Sequence, residues 1–245
     1  MTFQLAPYCG TAPSPEALMA DWNFDPILLS AIALVGLWRW AWAENRRGQW
    51  VLFVGLCAIA FVSPLCALSS ALFSARAFHH IVLISLAAPL GWRLFFEPSV
   101  TLDRFPPTAA FVAHTVMIWL WHLPLPYAWA LSSSLAYWAM EIPLLLSALW
   151  LWREILDPRR ASGSALAVCG GTILQMTMLG AFLTLTPHPL FRPHFLTTDL
   201  YGLTPLEDQQ LAGLLMWVPA SLPYVVAFLI RIGQTIKTSS RHAAG

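Results

Sequence analysis

Charged residues are scarce in this sequence. Only 10% of its 245 residues are charged, whereas 58% are hydrophobic, and soluble domains carry roughly a quarter charged residues. A soluble core of this length cannot hide so much apolar surface, so we expect most of the chain to lie in lipid. The thirteen Trp residues agree with this expectation, because indole rings favour the membrane–water interface.

The chain also lacks an excess of basic residues and lacks familiar catalytic motifs. A net charge of +1 argues against nucleic-acid binding, which needs a basic face. The sequence contains no nucleophile–base pair, no glycine-rich phosphate loop and no HExxH zinc motif. It therefore indicates neither an enzyme nor a small-molecule substrate.

Two smaller absences concern targeting and cysteine. Residues 1–25 contain no Lys or Arg, so we expect no cleavable signal peptide and expect the first helix to direct insertion. Cys9, Cys57, Cys66 and Cys169 form no CxxC pair. We therefore interpret the four cysteines as small packing residues.

Long apolar runs fill most of the remaining sequence. Stretches of 17 to 25 apolar residues are long enough to cross a bilayer as helices, and this length predicts seven spans. Pro89 and Gly91 interrupt the third span, which is tolerated in membrane helices. The predicted spans are 26–43, 50–68, 79–96, 107–123, 135–152, 164–186 and 210–232.

The distribution of basic residues predicts the orientation of this bundle. Only Arg76 and Arg192 fall on one side, and cytoplasmic loops carry the excess of Lys and Arg. The eleven on the other side are Arg39, Arg46, Arg47, Arg93, Arg104, Arg153, Arg159, Arg160, Arg231, Lys237 and Arg241. We expect an all-α, polytopic membrane helix bundle in a bacterial inner (plasma) membrane. It comprises a periplasmic segment 1–25, a seven-helix domain 26–232 and a cytoplasmic tail 233–245.

Potential metal and proton ligands gather on the predicted outer side. His122 ends span four, where its imidazole either binds a metal or shuttles protons, or hydrogen-bonds beside interfacial aromatics. Glu141 lies about two turns into span five. A carboxylate inside a span is costly and marks a functional site by default, although a paired or protonated Glu would also hold helices together. The short connection after His122 allows the two residues to be neighbours.

His79 and His80 stand at the outer start of predicted span three. Adjacent helical residues point about 100° apart, so we do not expect both to ligate one metal. His80 is the better inward candidate, because apolar residues follow it at helical spacing.

Further candidates come from the last two spans. Thr204 and Glu207 match a capping box, which explains Glu207 without chemistry, whereas Asp208 beside it remains a candidate ligand. Met216 offers a thioether suited to Cu(I), although Met in apolar spans more often fills space.

Several stretches resemble the CtaG family of cytochrome c oxidase assembly proteins, the multispan type described with caa-type oxidases. The resemblance covers nearly the whole chain and is most specific in 202–219. The matching stretches are Trp22–Pro26, Ala88-Pro89, Trp121–Pro124, Leu131, Glu141, Gly180–Pro187 and Gly202–Pro219. It implies a factor that matures the oxidase at its copper-bearing subunit, with oxidase subunits and membrane lipid as partners. His80, His122, Glu141, Asp208 and Met216 are then the expected copper ligands.

Some family histidines are missing here. Arg76 and His79 replace a His and a Gln of the family pattern before His80, and Trp138 and Ile142 stand where members place His around Glu141. These departures keep open a cofactor-free scaffold or accessory subunit of the oxidase. A haem protein is disfavoured because His114 and His122 lie roughly 80° apart on one helix, and a transporter has little support.

Overall fold

The computed structural model describes residues 7–42, 46–96 and 102–243. Parts of the sequence-based predictions fall outside these ranges: residues 1–6 of the N-terminal segment, residue 43 of the first span and residues 244–245 of the tail. The side chains of Arg39 and Arg241, two of the basic residues used to predict orientation, are also outside the description.

Helices make up almost all regular structure in the described ranges, which contain no strand. The α-helices are α1 (Pro26–Trp42), α2 (Arg47–Phe61), α3 (Pro64–Ala71), α4 (Phe73–Ile81), α5 (Ala88–Phe96), α6 (Pro107–Trp121), α7 (Pro124–Ala130), α8 (Ser134–Leu156), α9 (Ser162–Leu185), α10 (Pro205–Trp217) and α11 (Leu222–Ala243). A π-helical segment, Val82–Ala87, joins α4 to α5.

Four helical stretches of the described chain are long and apolar enough to span a membrane: 73–96, 134–156, 162–185 and 205–237. Two bent pairs, α2 with α3 (41°) and α6 with α7 (80°), raise that number to six, and α1 contributes a shorter apolar helix, Pro26–Leu37. The all-α membrane fold is thus confirmed. The count of seven spans and the orientation of the termini stay predictions.

Polar residues and prolines set the helix starts as the sequence leads one to expect. Ser63 and Ser133 accept hydrogen bonds at the starts of α3 and α8, which satisfies donors that a helix leaves free. Thr204 and Glu207 form the predicted capping box of α10, with both reciprocal bonds present. The capping interpretation of Glu207 is confirmed.

Helix α4 begins six residues earlier than the predicted third span. Phe73–Phe96 forms one helical stretch of 24 residues, so His79 and His80 lie within the helix rather than at its outer start. Pro89 has no N–H for the carbonyl four residues earlier, and the π-helical turn lies just before it. The carbonyl of Ile84 in that turn accepts a 2.7 Å hydrogen bond from Trp152 Nε1.

Helices α9 and α10 approach each other closely through glycines. A Cβ added to Gly213 would lie 2.7 Å from the carbonyl oxygen of Gly180, and one added to Gly180 would lie 2.7 Å from the Cβ of Trp217. Small residues let membrane helices approach closely when lipid offers no hydrophobic driving force between them. This contact anchors α10, which also packs against α4.

The interpretation of all four cysteines as packing residues is wrong for two of them. Cys9 and Cys66 form a disulfide, which ties the N-terminal segment to α3. Cys57 and Cys169 are buried free thiols, as expected. The distance of 57 residues between the partners hides the pairing from any local motif.

Candidate functional site

The candidate site is a buried cluster of five polar side chains, which we call the polar cluster: Arg76, His79, His80, His122 and Glu141. Each is at most 1% exposed. Helix α4 supplies the first three, α8 supplies Glu141, and His122 caps the end of α6. Charged and polar groups buried at this depth mark functional sites in membrane proteins.

Glu141 is the centre of the polar cluster. Its Oε1 atom lies 3.1 Å from Arg76 NH1, 3.6 Å from His79 Nδ1 and 3.3 Å from His80 Nε2. Ligand atoms of Glu141, His79 and His80 all lie within 4.8 Å of one another, the one such group of His, Cys, Asp or Glu found in the described residues. The carboxylate thus joins α4 to α8 through one oxygen.

The sequence favours His80 over His79 as the inward residue, but the structure buries both. His79 is as fully buried as His80, and its ring contacts Phe61 of α2 edge-on at 5.3 Å. Helix α4 packs against α3 and α10, and its polar side chains reach α2 and α8, whereas Phe78 remains 41% exposed. His79 approaches Glu141 through Nδ1, whereas His80 approaches it through Nε2. Because the two rings use different nitrogens, both reach the same carboxylate although adjacent helical residues point about 100° apart.

His122 brings a third imidazole to the cluster, next to His80. Its ring centroid lies 5.4 Å from that of His80. Nδ1–H donates to the carbonyl of Ile118 at 2.8 Å, because a carbonyl can only accept. The lone pair of this tautomer is on Nε2, which is buried and has no hydrogen-bond partner in the described structure.

His80 has the complementary arrangement. Its Nε2–H faces Glu141 Oε1, and its Nδ1 is buried without a hydrogen-bond partner among the described residues. Histidines that bind metals usually donate their other ring N–H to a carboxylate or a backbone carbonyl, which fixes the tautomer. His80 and His122 show one example of each.

Asp208, a predicted ligand, is not part of the metal-type group at Glu141. Its Oδ2 accepts the N–H of Phe73 at 2.7 Å and its Oδ1 accepts the N–H of Ser74 at 3.1 Å. It therefore caps the helix that carries Arg76, His79 and His80 and fixes their height. Its role as a ligand stays a prediction.

Met216, the other predicted ligand, is fully buried in α10 within the main hydrophobic core. That helix packs against α4 and α9. The place of Met216 fits the packing role of Met in an apolar span as well as it fits a thioether ligand. Copper binding by Met216 also stays a prediction.

The N-terminal segment covers the cluster. The ring of Tyr8 stacks on that of Tyr137 at 4.8 Å, and the guanidinium of Arg76 lies 5.1 Å from the centre of the Tyr137 ring. The Tyr8 hydroxyl donates to Asp25 at 2.7 Å. Burial and this bond raise the pKa of Tyr8 to about 12, so the contact persists at neutral pH.

Arg76 and His79 are the site residues that the sequence-based ligand set left out. Arg76 carried a signal, because a guanidinium in an apolar stretch needs a partner. The predicted span started at residue 79, so Arg76 was placed outside the membrane. Trp138 and Ile142 are indeed not polar neighbours: Trp138 packs on Phe61, and Ile142 is 51% exposed on the outer surface of the bundle.

Comparison with known proteins supports one family. Residues 103–238 match the family model described as cytochrome c oxidase caa3 assembly factor, which covers more than half of the chain. The matched region contains His122, Glu141, Asp208 and Met216, whereas Arg76, His79 and His80 precede it. Searches of curated proteins and of solved structures found no significant match.

Proposed function

Because the chain belongs to the cytochrome c oxidase caa3 assembly factor family, we propose that it assists assembly by handling Cu(I) at the polar cluster. In this proposal the copper is cargo, bound between His80 and His122 and passed to the copper-bearing oxidase subunit. The protein is a membrane protein with oxidase partners; a bacterial inner-membrane location is part of the proposal. The family description names an assembly factor, and we assign no catalytic step.

The observation that carries this proposal is that His80 Nδ1 and His122 Nε2 are buried without a hydrogen-bond partner among the described residues, as are both ring nitrogens of His79. A buried polar atom without a partner costs about 1–3 kcal/mol, and here two such atoms belong to rings 5.4 Å apart. Both are the lone-pair nitrogens of their inferred tautomers. Cu(I) accepts imidazole ligands and would satisfy both.

Glu141 has an orienting role in this arrangement. Its carboxylate accepts a hydrogen bond from His80 Nε2–H. The lone pair of His80 is then on Nδ1, which is the atom free to bind a metal. Carboxylate–histidine pairs of this kind raise the basicity of the ligand, and their loss typically costs 10- to 100-fold in metal affinity. Glu141 thus supports the site without having to touch copper.

The proposed side of delivery is the periplasm. The Cys9–Cys66 disulfide supports it, because disulfides persist in oxidising compartments such as the periplasm. Glu141 lies seven residues after the start of α8, hence about 10 Å below that end of the helix. The excess of predicted cytoplasmic arginines lies toward the opposite end of the bundle, where Arg153 pairs with Asp103 and Glu154.

The experiment compares oxidase copper in cells that carry only one variant of this chain. For His122→Ala we expect the copper-to-haem ratio of the purified oxidase to fall about tenfold, the loss typical of a damaged metal site. His114→Ala is the matched control: its imidazole is equally buried in α6 but is not part of the polar cluster, and its substitution should leave the ratio unchanged. A full copper complement with His122→Ala contradicts the copper role.

A second candidate is a scaffold that holds the oxidase subunit without a metal. The observation that favours it is the Arg76–Glu141 ion pair, which balances the buried charge without any cation. A scaffold predicts that His122→Ala alters neither the copper content nor the yield of oxidase, whereas bulky substitutions on the lipid-facing surface lower the yield. The two candidates therefore differ in the same measurement.

A further inference from the structure

Charge balance at Glu141 is unusual for a site that holds a cation. Arg76 NH1 lies 3.1 Å from Glu141 Oε1, and both side chains are almost completely buried. With neutral imidazoles, the polar cluster has no net charge before any metal arrives. A bound cation therefore adds uncompensated positive charge to a buried site, which is costly in a low-dielectric medium.

We infer that the Arg76 guanidinium is a fixed positive charge that weakens cation binding at the polar cluster and selects monovalent over divalent ions. This inference rests on the proposed function. Its consequence is a site that accepts Cu(I) transiently and gives it up, rather than one that stores it. An assembly factor that retained its cargo would not complete the transfer.

Arginine is suited to this role because it cannot escape by losing its proton. The guanidinium stays charged under all ordinary conditions, whereas a lysine or histidine would deprotonate beside a metal. The Tyr137 ring, 5.1 Å away, stabilises the charge where it stands through a cation–π contact. The positive charge thus remains in the cluster whether or not a cation is bound.

Selectivity follows from the size of the repulsion. Coulomb energy is proportional to the product of the charges, so Arg76 opposes a divalent ion twice as strongly as a monovalent one at the same position. Imidazole sites otherwise bind Zn²⁺ and Cu²⁺ well. Arg76 offsets that preference, and Cu(I) suffers least because it carries one charge.

The test is an anaerobic titration of the purified full-length chain with Cu(I), against a chromophoric chelator, and separately with Zn²⁺. For Arg76→Gln we expect Cu(I) affinity to rise about tenfold and Zn²⁺ affinity about a hundredfold, because the repulsion doubles with charge. Arg76→Lys can lose its proton beside a metal, so its affinities for both ions should lie between those of the parent and those of Arg76→Gln. Equal affinities in the parent and Arg76→Gln, or equal gains for both ions, overturn the inference.

Arg153→Gln is the matched control. Arg153 is also a fully buried arginine paired with carboxylates, but it lies twelve residues from Glu141 on α8, or about 18 Å. Its substitution should change neither affinity. A gain as large as that of Arg76→Gln would mean that the effect is general loosening of the fold, and the inference would fail.

Variants that also remove the charge of Glu141 cover the case in which Arg76→Gln does not fold. Glu141→Gln leaves the cluster with one positive charge and should bind Cu(I) more weakly than the parent. Arg76→Gln with Glu141→Gln is neutral again, keeps an oxygen at position 141 that accepts from His80 Nε2–H, and should bind Cu(I) more tightly than Glu141→Gln alone. No recovery overturns the role of charge. Binding that is equal in all variants, yet lost in His122→Ala, spares the proposed copper site and removes only the inference. Absence of binding in every variant removes the copper site as well.

Discussion

At the scale of single residues, one carboxylate oxygen determines the site. Arg76, His79 and His80 all approach Glu141 Oε1, and the burial of the ion pair has a desolvation cost that only good geometry repays. Removing one partner of such a pair destabilises the fold by more than the intact pair stabilises it, because the other charge remains buried without a partner. Glu141 is therefore the residue whose loss should be felt most.

We predict that Glu141→Gln lowers the free energy of unfolding by about 3 kcal/mol, because it leaves the Arg76 charge buried and unpaired. Unfolding of the purified protein in detergent measures the change. Glu207→Gln is the control: Glu207 is an exposed capping residue, and Gln serves a capping box equally well. Similar unfolding curves for Glu141→Gln and the parent would show that the ion pair is unimportant.

Sequence alone identified part of this site. His80, His122 and Glu141 stand out because imidazoles and carboxylates are expensive in apolar stretches, and the short loop after His122 allows His122 and Glu141 to be neighbours. The convergence of Arg76 and His79 does not follow from sequence. A helix considered in isolation shows no partners, whereas α4 contacts side chains of α2, α3, α8 and α10 and leaves only Phe78 of its last turns exposed at this level.

At the scale of elements, α4 shows why hydropathy misplaces a boundary. Arg76 lowers the local hydropathy, so the predicted span begins after it, at residue 79, whereas the helix begins at Phe73. Arg76 is buried because its charge pairs with Glu141, and Asp208 caps the start of the helix. Hydropathy treats each residue separately and cannot register such mutual compensation.

The N-terminal segment is the second element that the sequence left undetermined. Its disulfide to Cys66 and the stacking of Tyr8 on Tyr137 hold it over the polar cluster. The predicted topology did place Cys9 and Cys66 on the same outer side, which was the signal available. No local spacing reveals a partner 57 residues away.

We predict that the disulfide is accessible only from the periplasm. In spheroplasts treated with a membrane-impermeant reductant, an impermeant maleimide should label Cys9, since disulfides form and persist in that compartment. A variant with Cys9→Ser and Cys66→Ser retains the buried thiols Cys57 and Cys169 and should stay unlabelled. Labelling that requires disrupted membranes would place this end of the bundle in the cytoplasm.

At the scale of the whole molecule, polar groups are segregated along the bundle. The polar cluster and the disulfide-held segment lie toward one end. A network of Arg153, Arg160, Asp103 and Glu154 lies toward the other. Composition and positive-inside asymmetry predicted the membrane fold and this division, because both depend on solvation averaged over many residues. The bends, the π-helical turn and the disulfide depend on individual contacts and required the structure.

The central claim is that His80 and His122 bind Cu(I), and X-ray absorption at the copper K-edge of anaerobically loaded protein tests it most directly. We predict one Cu(I) per chain with imidazole nitrogen neighbours, lost in His122→Ala and retained in His114→Ala; a sulfur neighbour would add Met216 as a ligand. Protein that holds no copper, or copper without any imidazole neighbour, would contradict the account.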